Sequence, residues 1–377
     1  MMARDPRIDT AHAVPMAELV DRLGISRLVP TGIELVGPCP SCGGKDRFGI
    51  NLRKGVFQCR RCDAKGDQIA LVQLALNMDF KEALEWLAGP VQELTPAQKA
   101  VQRKRAEEAM LKREQDARRH REAAIKQAQK IWSGGQPGDD TLVGDYLAKR
   151  GIVLRHGARL PRCFKFEPSA RLVVPVPGTR SEFQTVHEGP AMLSEILDAH
   201  GELSGVHRTW IDLTQAKGRP VIKHPFQDGQ TVPTKKSYGS KKGGAIRLFT
   251  PRGATKLVMA EGIETTLSAM MADEGRGDVA YWAGIDLGNM SGQRKAGPGQ
   301  RFAGIPDLTD RDAFVPPAWV KQLIFIQDGD SEPKLTRAKV LSGLRRAMAM
   351  RPGLTASIAH PGEGVDMNDL LLGGGNV

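Results

Sequence analysis

Apolar residues recur at helical spacing in GDQIALVQLALN, where Ile69, Val72, Ala75 and Leu76 share one face. Asp67 stands where an N-cap of that helix belongs, and Asp79 does the same for the helix DFKEALEWLA that follows. MAELVDRLG, from Met16, predicts a further short helix. Between them RFGINLRKGVFQ alternates as a two-stranded ribbon turning at Lys54-Gly55. From about Leu94 to Trp132 the large apolar residues thin out and strong helix formers take over, predicting one long exposed helix. SGGQPGDD, Ser133 to Asp140, breaks it. TLVGDYLAKRGI then predicts a helix ending at Gly151, and a strand-rich stretch follows with ARLVVPVPG, GVHRTWIDL and KKSYGSKKGGAIRLF. From about Ala254 apolar strands alternate with helices. These patterns predict a multi-domain α/β chain: a small N-terminal domain over 1–90, a charged helical linker over 91–138, a basic α+β middle over 139–253, and a parallel sheet flanked by helices over 254–377.

Composition agrees with a chain of several domains. There are 377 residues, 40% hydrophobic and 26% charged, within the globular range. No apolar run approaches the ~20 residues of a membrane-spanning helix, and MMARDPRIDTAHAV lacks the apolar core of a secretory signal. The expectation is a cytoplasmic protein with no membrane partner. The formal charge of +11 favours a polyanionic partner, nucleic acid first. Between Gln98 and Lys130 eleven Lys and Arg face five acids, so this stretch supplies +6 of that charge. A solvated charged helix explains that run more simply than a dedicated DNA-binding helix does.

The five cysteines do not suggest a disulfide scaffold. Cys39-x2-Cys42 and Cys59-x2-Cys62, separated by 16 residues, fall within the spacing of a four-thiolate zinc site. Two knuckles closing a tetrahedron leave no open position, so the expected Zn²⁺ is structural, replacing the core a short segment lacks. Cys163 stands apart. Lys45, Arg47, Arg53, Lys54, Arg60, Arg61 and Lys65 surround the knuckles, with Phe48 and Phe57 interleaved. Charge for phosphates and rings for bases suit single-stranded DNA. Equally, the two Phe could pack inside the ribbon. CPSCGGKDRF followed by FQCRRCDAKGD resembles the N-terminal zinc ribbon of bacterial, phage and plasmid DNA primases, in its all-cysteine form. That resemblance implies a ribbon that contacts the template strand.

Toward the C-terminus, TKLVMAEGIETTLSAMMA predicts a strand over Lys256–Ala260, then Glu261-Gly262, then a helix. QLIFIQDGDSEPKLTRAKVLSGLRRAMAM repeats the arrangement around Asp328-Gly-Asp330, and TASIAHP precedes Asp366. Strand-turn-helix repeats build parallel sheets, whose ligands sit beyond the carboxyl ends of the strands. Glu261, Asp328, Asp330 and Asp366 would share that edge. Any one of them could be a helix cap. Four at matching positions repel one another unless a hard cation, Mg²⁺ or Mn²⁺, binds. AEGIET and QDGD resemble the Toprim domain of primases, topoisomerases, some nucleases and recombination mediators. The resemblance implies that Glu261, Asp328 and Asp330 are catalytic metal ligands, with Asp366 a further one. The chain departs from the primase pattern in having Thr265 four residues after the Glu, with Glu264 one earlier, and Asp366-Met-Asn368 in place of a further Asp-x-Asp.

A zinc ribbon, a basic middle and Toprim stand in the order of a primase, most like those of mobile elements. The resemblance implies a nucleotidyltransferase making short RNA primers on single-stranded DNA from ribonucleoside triphosphates. Arg208, Lys235, Lys236, Lys241 and Lys242 would hold template or nucleotide, and Gly239, Gly243 and Gly244 would let backbone approach phosphates. A solvated lysine-rich loop is the plainer explanation of the last group. A Toprim nuclease and a non-enzymatic zinc and Toprim DNA-binding mediator are the alternatives. A topoisomerase would require a tyrosine nucleophile, and Tyr146, Tyr238 and Tyr281 lie in unsuitable contexts. No G-x-x-x-x-G-K-[ST] occurs, so a separate helicase is the expected partner.

Overall fold

The computed structural model describes residues 5, 7–89, 96–153, 159–179, 181–273, 277–295, 297, 300, 302–327, 333–360 and 362. The chain divides into two compact units. One is Met1–Asp116 with Val173–Val186 and Pro225–Asp228, and the other is Ala117–Leu172 with His187–His224 and Gly229–Val377.

The first unit opens with helices α1 (Arg7–Ala13) and α2 (Met16–Arg22). Strands β1 (Val29–Thr31), β2 (Glu34–Cys39), β3 (Gly43–Asn51), β4 (Val56–Cys59) and β5 (Lys65–Gly66) follow as an antiparallel sheet in that order. The β3–β4 turn falls at the expected Lys54-Gly55, where Gly55 takes φ 66°. Helices α3 (Gln68–Leu76) and α4 (Phe80–Ala88) begin at the expected caps. Asp67 accepts from the Ala70 N–H, while Asp79 and Glu82 form a reciprocal capping box. The core under these elements joins Leu19, Leu71, Val72 and Leu84 to Phe48, Ile50 and Phe57 of the ribbon.

Helix α5 (Pro96–Gly134) is the expected long one, and Gly135 to Asp140 ends it. Two further sheets follow, and apart from the ends of two strands they belong to the second unit. In the first, β6 (Gln136–Pro137), β7 (Phe164–Pro175), β8 (Phe183–Leu197), β9 (Leu203–Trp210) and β10 (Lys235–Gly239) lie in sequence order, with helix α6 (Leu142–Lys149) between β6 and β7 in the chain. The C-terminal part of α5 packs here: Ala128, Ile131 and Trp132 meet Leu193, Val206 and Tyr238. Gly239, at φ 84°, is required by this packing, because a Cβ there would stand 2.8 Å from that of Ala128.

The other sheet runs β11 (Ile246–Phe249), β13 (Val279–Ala283), β12 (Lys256–Ala260), β14 (Gln322–Ile326) and β15 (Thr355–Ala359) across its width. β13, β12, β14 and β15 are mutually parallel, and β11 is antiparallel to β13. Every residue of β13 is buried, as strands covered on both faces demand. Helices α7 (Ile263–Ala272), α8 (Leu287–Ser291) and α9 (Pro333–Met350) complete the alternation. The expected boundary at residue 253 falls inside this unit, since β11 from the middle segment is the edge strand of the parallel sheet. No helix among the described residues is long and apolar enough to cross a membrane.

Candidate zinc, carboxylate and basic sites

β2 ends at Cys39 and β4 ends at Cys59, so the antiparallel ribbon itself brings the two knuckles together. Cys39 Sγ lies 3.8 Å from Cys62 Sγ, and Cys42 Sγ 3.5 Å from Cys59 Sγ. All four sulfurs fall within 4.8 Å of one another. A tetrahedral ion with ~2.3 Å bonds to sulfur needs edges of ~3.8 Å, so the donor set fits one zinc. Burial pushes the Cys59 thiol up, but the backbone N–H groups of Cys62 and Arg61, together with the Cys62 and Cys42 thiols, more than offset it and bring its pKa down to about 7. Burial and the neighbouring thiols push Cys62 up to about 12. Four thiols in so tight a group cannot all ionise without a cation, which is the electrostatic condition of a structural zinc site.

Around the knuckles Lys45 and Arg60 are exposed and Arg47 half-buried. Arg60 donates to the Asp46 carbonyl at 2.6 Å, and its own N–H donates to the Arg47 carbonyl at 2.8 Å. Phe48 and Phe57 do not join them at the surface. Both rings are buried, their centroids 5.4 Å apart. They form the ribbon's core, so the stacking role open to them in the sequence falls away.

At the carboxyl edge of the parallel sheet, Glu261 follows β12 directly and is half-buried. The parallel register pairs Met259 with Phe325, and its continuation brings Glu261 level with Gln327 at the end of β14. Asp328, Asp330 and Asp366 lie outside the described residues. Gln327 Oε1, one residue before Asp328, is buried with no hydrogen-bond partner among the described residues. On the other side of β12, the Gly284 N–H donates to the Ala260 carbonyl at 2.8 Å, which brings the turn after β13 alongside Glu261. Within that turn Ile285 takes φ 75°, a left-handed conformation costly for a β-branched side chain.

The lysine-rich segment between β10 and β11 is not loose. Asn289, buried at the start of α8, accepts from the Gly243 N–H at 2.9 Å and donates to the carbonyls of Gly244 (2.8 Å) and Gly284 (3.1 Å). Lys241 pairs with Asp286, and Lys242 with Asp312. Asp312 also stands 3.8 Å from Arg121 of α5. The segment is thereby clamped to the turn after β13. Asn289, Asp286 and Asp312 carried no signal in the sequence, because each acts on residues more than 40 positions away.

Lys236 reaches over the Tyr238 ring at 5.8 Å, and burial lowers its pKa. Arg208 is turned inward, its side chain 8% exposed and bonded to Glu167 at 2.5 Å, with its guanidinium 4.9 Å from the Tyr238 ring. A side chain so placed ties β9 to β7 and β10. Gly239 likewise packs against α5, and a Cβ on Gly244 would meet Ile196 and Leu197.

Residues 9–103 match the family model of the CHC2 zinc finger of DnaG type. Residues 122–248 match a model described as a domain of unknown function (DUF7146). Among solved structures, the chain is similar to the zinc-binding and RNA polymerase domains of the Aquifex aeolicus primase, at 13% identity over 98% of this chain and 83% of that one, TM-score 0.32. It is similar also to a DnaG primase catalytic domain bound to single-stranded DNA, at 15% identity over 68% and 79%, TM-score 0.39. A third is the primase fragment of the bacteriophage T7 primase-helicase, at 12% identity over 92% and 96%, TM-score 0.28.

Proposed function

We propose that this chain is a DNA primase: a nucleotidyltransferase that makes short RNA primers on single-stranded DNA, with a Toprim-type catalytic sheet. The observation that carries the reading is the parallel sheet whose carboxyl edge holds Glu261 next to the strand leading into Asp328-Gly-Asp330, in a chain whose N-terminal residues form a DnaG-type zinc ribbon. Glu261, Asp328 and Asp330 would hold Mg²⁺ or Mn²⁺, with Asp366 a further ligand. Such an ion, when bound, activates the 3′-hydroxyl and neutralises charge on the departing pyrophosphate. The protein's own part is to fix the carboxylates on rigid strand ends and to hold template and ribonucleotide in register. Lys45, Arg47 and Arg60 on the ribbon supply backbone contacts to the template, and Lys241 and Lys242 stand clamped near the carboxylate edge.

A Toprim nuclease would use the same carboxylates but leaves the ribbon without a task. A non-enzymatic mediator leaves the carboxylate edge without one. A separate helicase would open the duplex.

A priming assay on single-stranded DNA with Mg²⁺ and labelled ribonucleotides tests the reading. Short template-dependent products from the wild type, absent with Asp328→Ala, support it, and Cys59→Ser reports whether the ribbon takes part. No products from folded, zinc-loaded protein on varied templates, with Mg²⁺ or Mn²⁺, would discard it in favour of the nuclease or mediator.

A further inference from the structure

Glu264 stands three residues after Glu261, in the first turn of α7, and is only 5% exposed. An ionised carboxylate is costly in such a place unless both oxygens are engaged. Here they are. Tyr146 of α6, itself fully buried, donates its hydroxyl to Oε1, and the Lys235 ammonium of β10 donates to Oε2 at 2.7 Å. Burial alone would push the Glu264 carboxyl up, but the Lys235 charge and these two hydrogen bonds hold it well below the usual carboxylate range. The carboxylate curls back over its own turn: Oε2 lies 3.7 Å from the point where a Cβ on Gly262 would stand. The ammonium it holds is therefore beside the Glu261-Gly262 turn, and the Lys235 side chain is still 30% exposed. Lys235, Glu264, Lys241 and Arg219 all lie within electrostatic reach of His207. Lys235, Lys241 and Arg219 thus bring positive charge to the neighbourhood of one buried anion.

We infer that Glu264 is a positioning residue for nucleoside triphosphate: with Tyr146 it fixes the Lys235 ammonium beside the Glu261 turn, where that ammonium meets the polyphosphate of the incoming nucleotide. The inference rests on the primase reading of the site. It also accounts for the departure noted in the sequence. Thr265 replaces an acid four residues after Glu261, and the acid one position earlier is turned inward to hold a cation, with both oxygens already bonded. A lysine side chain is a point charge on a long flexible stem, and a buried partner is what gives it one location. Polyphosphate carries enough charge to share that ammonium with Glu264.

The test measures binding directly, by titrating ATP with Mg²⁺ into the full-length, zinc-loaded protein and following the heat. Glu264→Gln keeps the size of the side chain and an acceptor for Tyr146. Lys235→Met keeps the stem and removes the charge. Each should weaken ATP binding by about tenfold or more, and the double variant should be no weaker than the worse single, because the two act as a unit. Lys235→Arg should recover much of the loss, and affinity for single-stranded DNA should stay at the wild-type level in all of them. If Glu264 merely neutralised Lys235, Glu264→Gln would bind ATP as well as the wild type or more tightly, and that result overturns the inference. So does additive loss in the double variant, or a wild type that binds no ATP. A wild type that makes no primers but shows the expected binding pattern discards the primase reading and leaves this one standing. A wild type that primes, with ATP binding unchanged in Glu264→Gln, does the reverse.

Discussion

Phe48 and Phe57 face each other across the β3–β4 ribbon at 5.4 Å between ring centroids, tilted by 42°, and neither reaches the surface. Register explains why. Phe48 pairs with Cys59 and Phe57 with Ile50, so both rings project to the face covered by the helices of the same unit. On the proposed reading, the basic side chains on the knuckles would therefore hold a template strand through its phosphates.

Phe57→Ala should destabilise the zinc-loaded unit by about 3–5 kcal/mol. Phe57→Leu, which keeps much of the buried volume, should leave affinity for single-stranded DNA within about twofold of wild type, since a buried ring contributes no stacking energy. Denaturant unfolding and fluorescence anisotropy check the two halves. A large loss of DNA affinity in the folded Leu variant would return Phe57 to the surface.

The zinc site should bind one equivalent of metal, read by elemental analysis, and Cys59→Ser should lose it. Because each compact unit has its own core, a strong chelator should abolish one calorimetric transition and spare the other. Loss of both transitions together would show the units to be one cooperative block.

Arg208 is a packing residue by its geometry. Arg208→Ala should cost about 1–3 kcal/mol because it removes the bond to the half-buried Glu167 carboxylate and the cation that lies over Tyr238. Pairing Arg208→Met with Glu167→Gln should recover part of that loss in thermal unfolding, since neither side chain is then left as an unpaired charge. A nucleic-acid contact would instead show as weakened DNA binding with stability unchanged.

His207 gives a pH dependence of definite sign. Desolvation, and then the Lys235 ammonium, lower its folded pKa to about 4 from 6.5, with Lys241 and Arg219 adding to the effect and Glu264 opposing it. Its Nδ1 stands 3.0 Å from Ser237 Oγ. Between pH 4 and 6.5 the unfolded chain binds the proton more readily, so the contribution of His207 is complete above the upper value and is lost as the pH falls through the lower one. His207→Gln should flatten the stability profile across that window relative to wild type, as followed by urea unfolding at a series of pH values. Parallel profiles for the two proteins would count against a neutral, desolvated His207.

Local chemistry was enough to read much of this chain. The capping acids Asp67 and Asp79, the turn at Gly55, the long α5 and the strand-turn-helix repeats ending at Glu261 all depend on contacts within a few residues, where periodicity and side-chain type decide. The zinc site was legible for the same reason: each Cys-x2-Cys knuckle is a local device, and only the meeting of the two is long-range. Tertiary structure decided what depends on distant partners. Nothing in AEGIET indicates that Glu264 is buried against Tyr146, 118 residues earlier, or that Lys235 completes the pair. Nor does GVHRTWI indicate that Arg208 turns inward to Glu167, or KKGG that Asn289 will clamp it. A charge in a sequence has a sign but no dielectric. Whether it faces solvent and a phosphate, or a buried counter-ion, is determined only when the fold sets its burial and its neighbours.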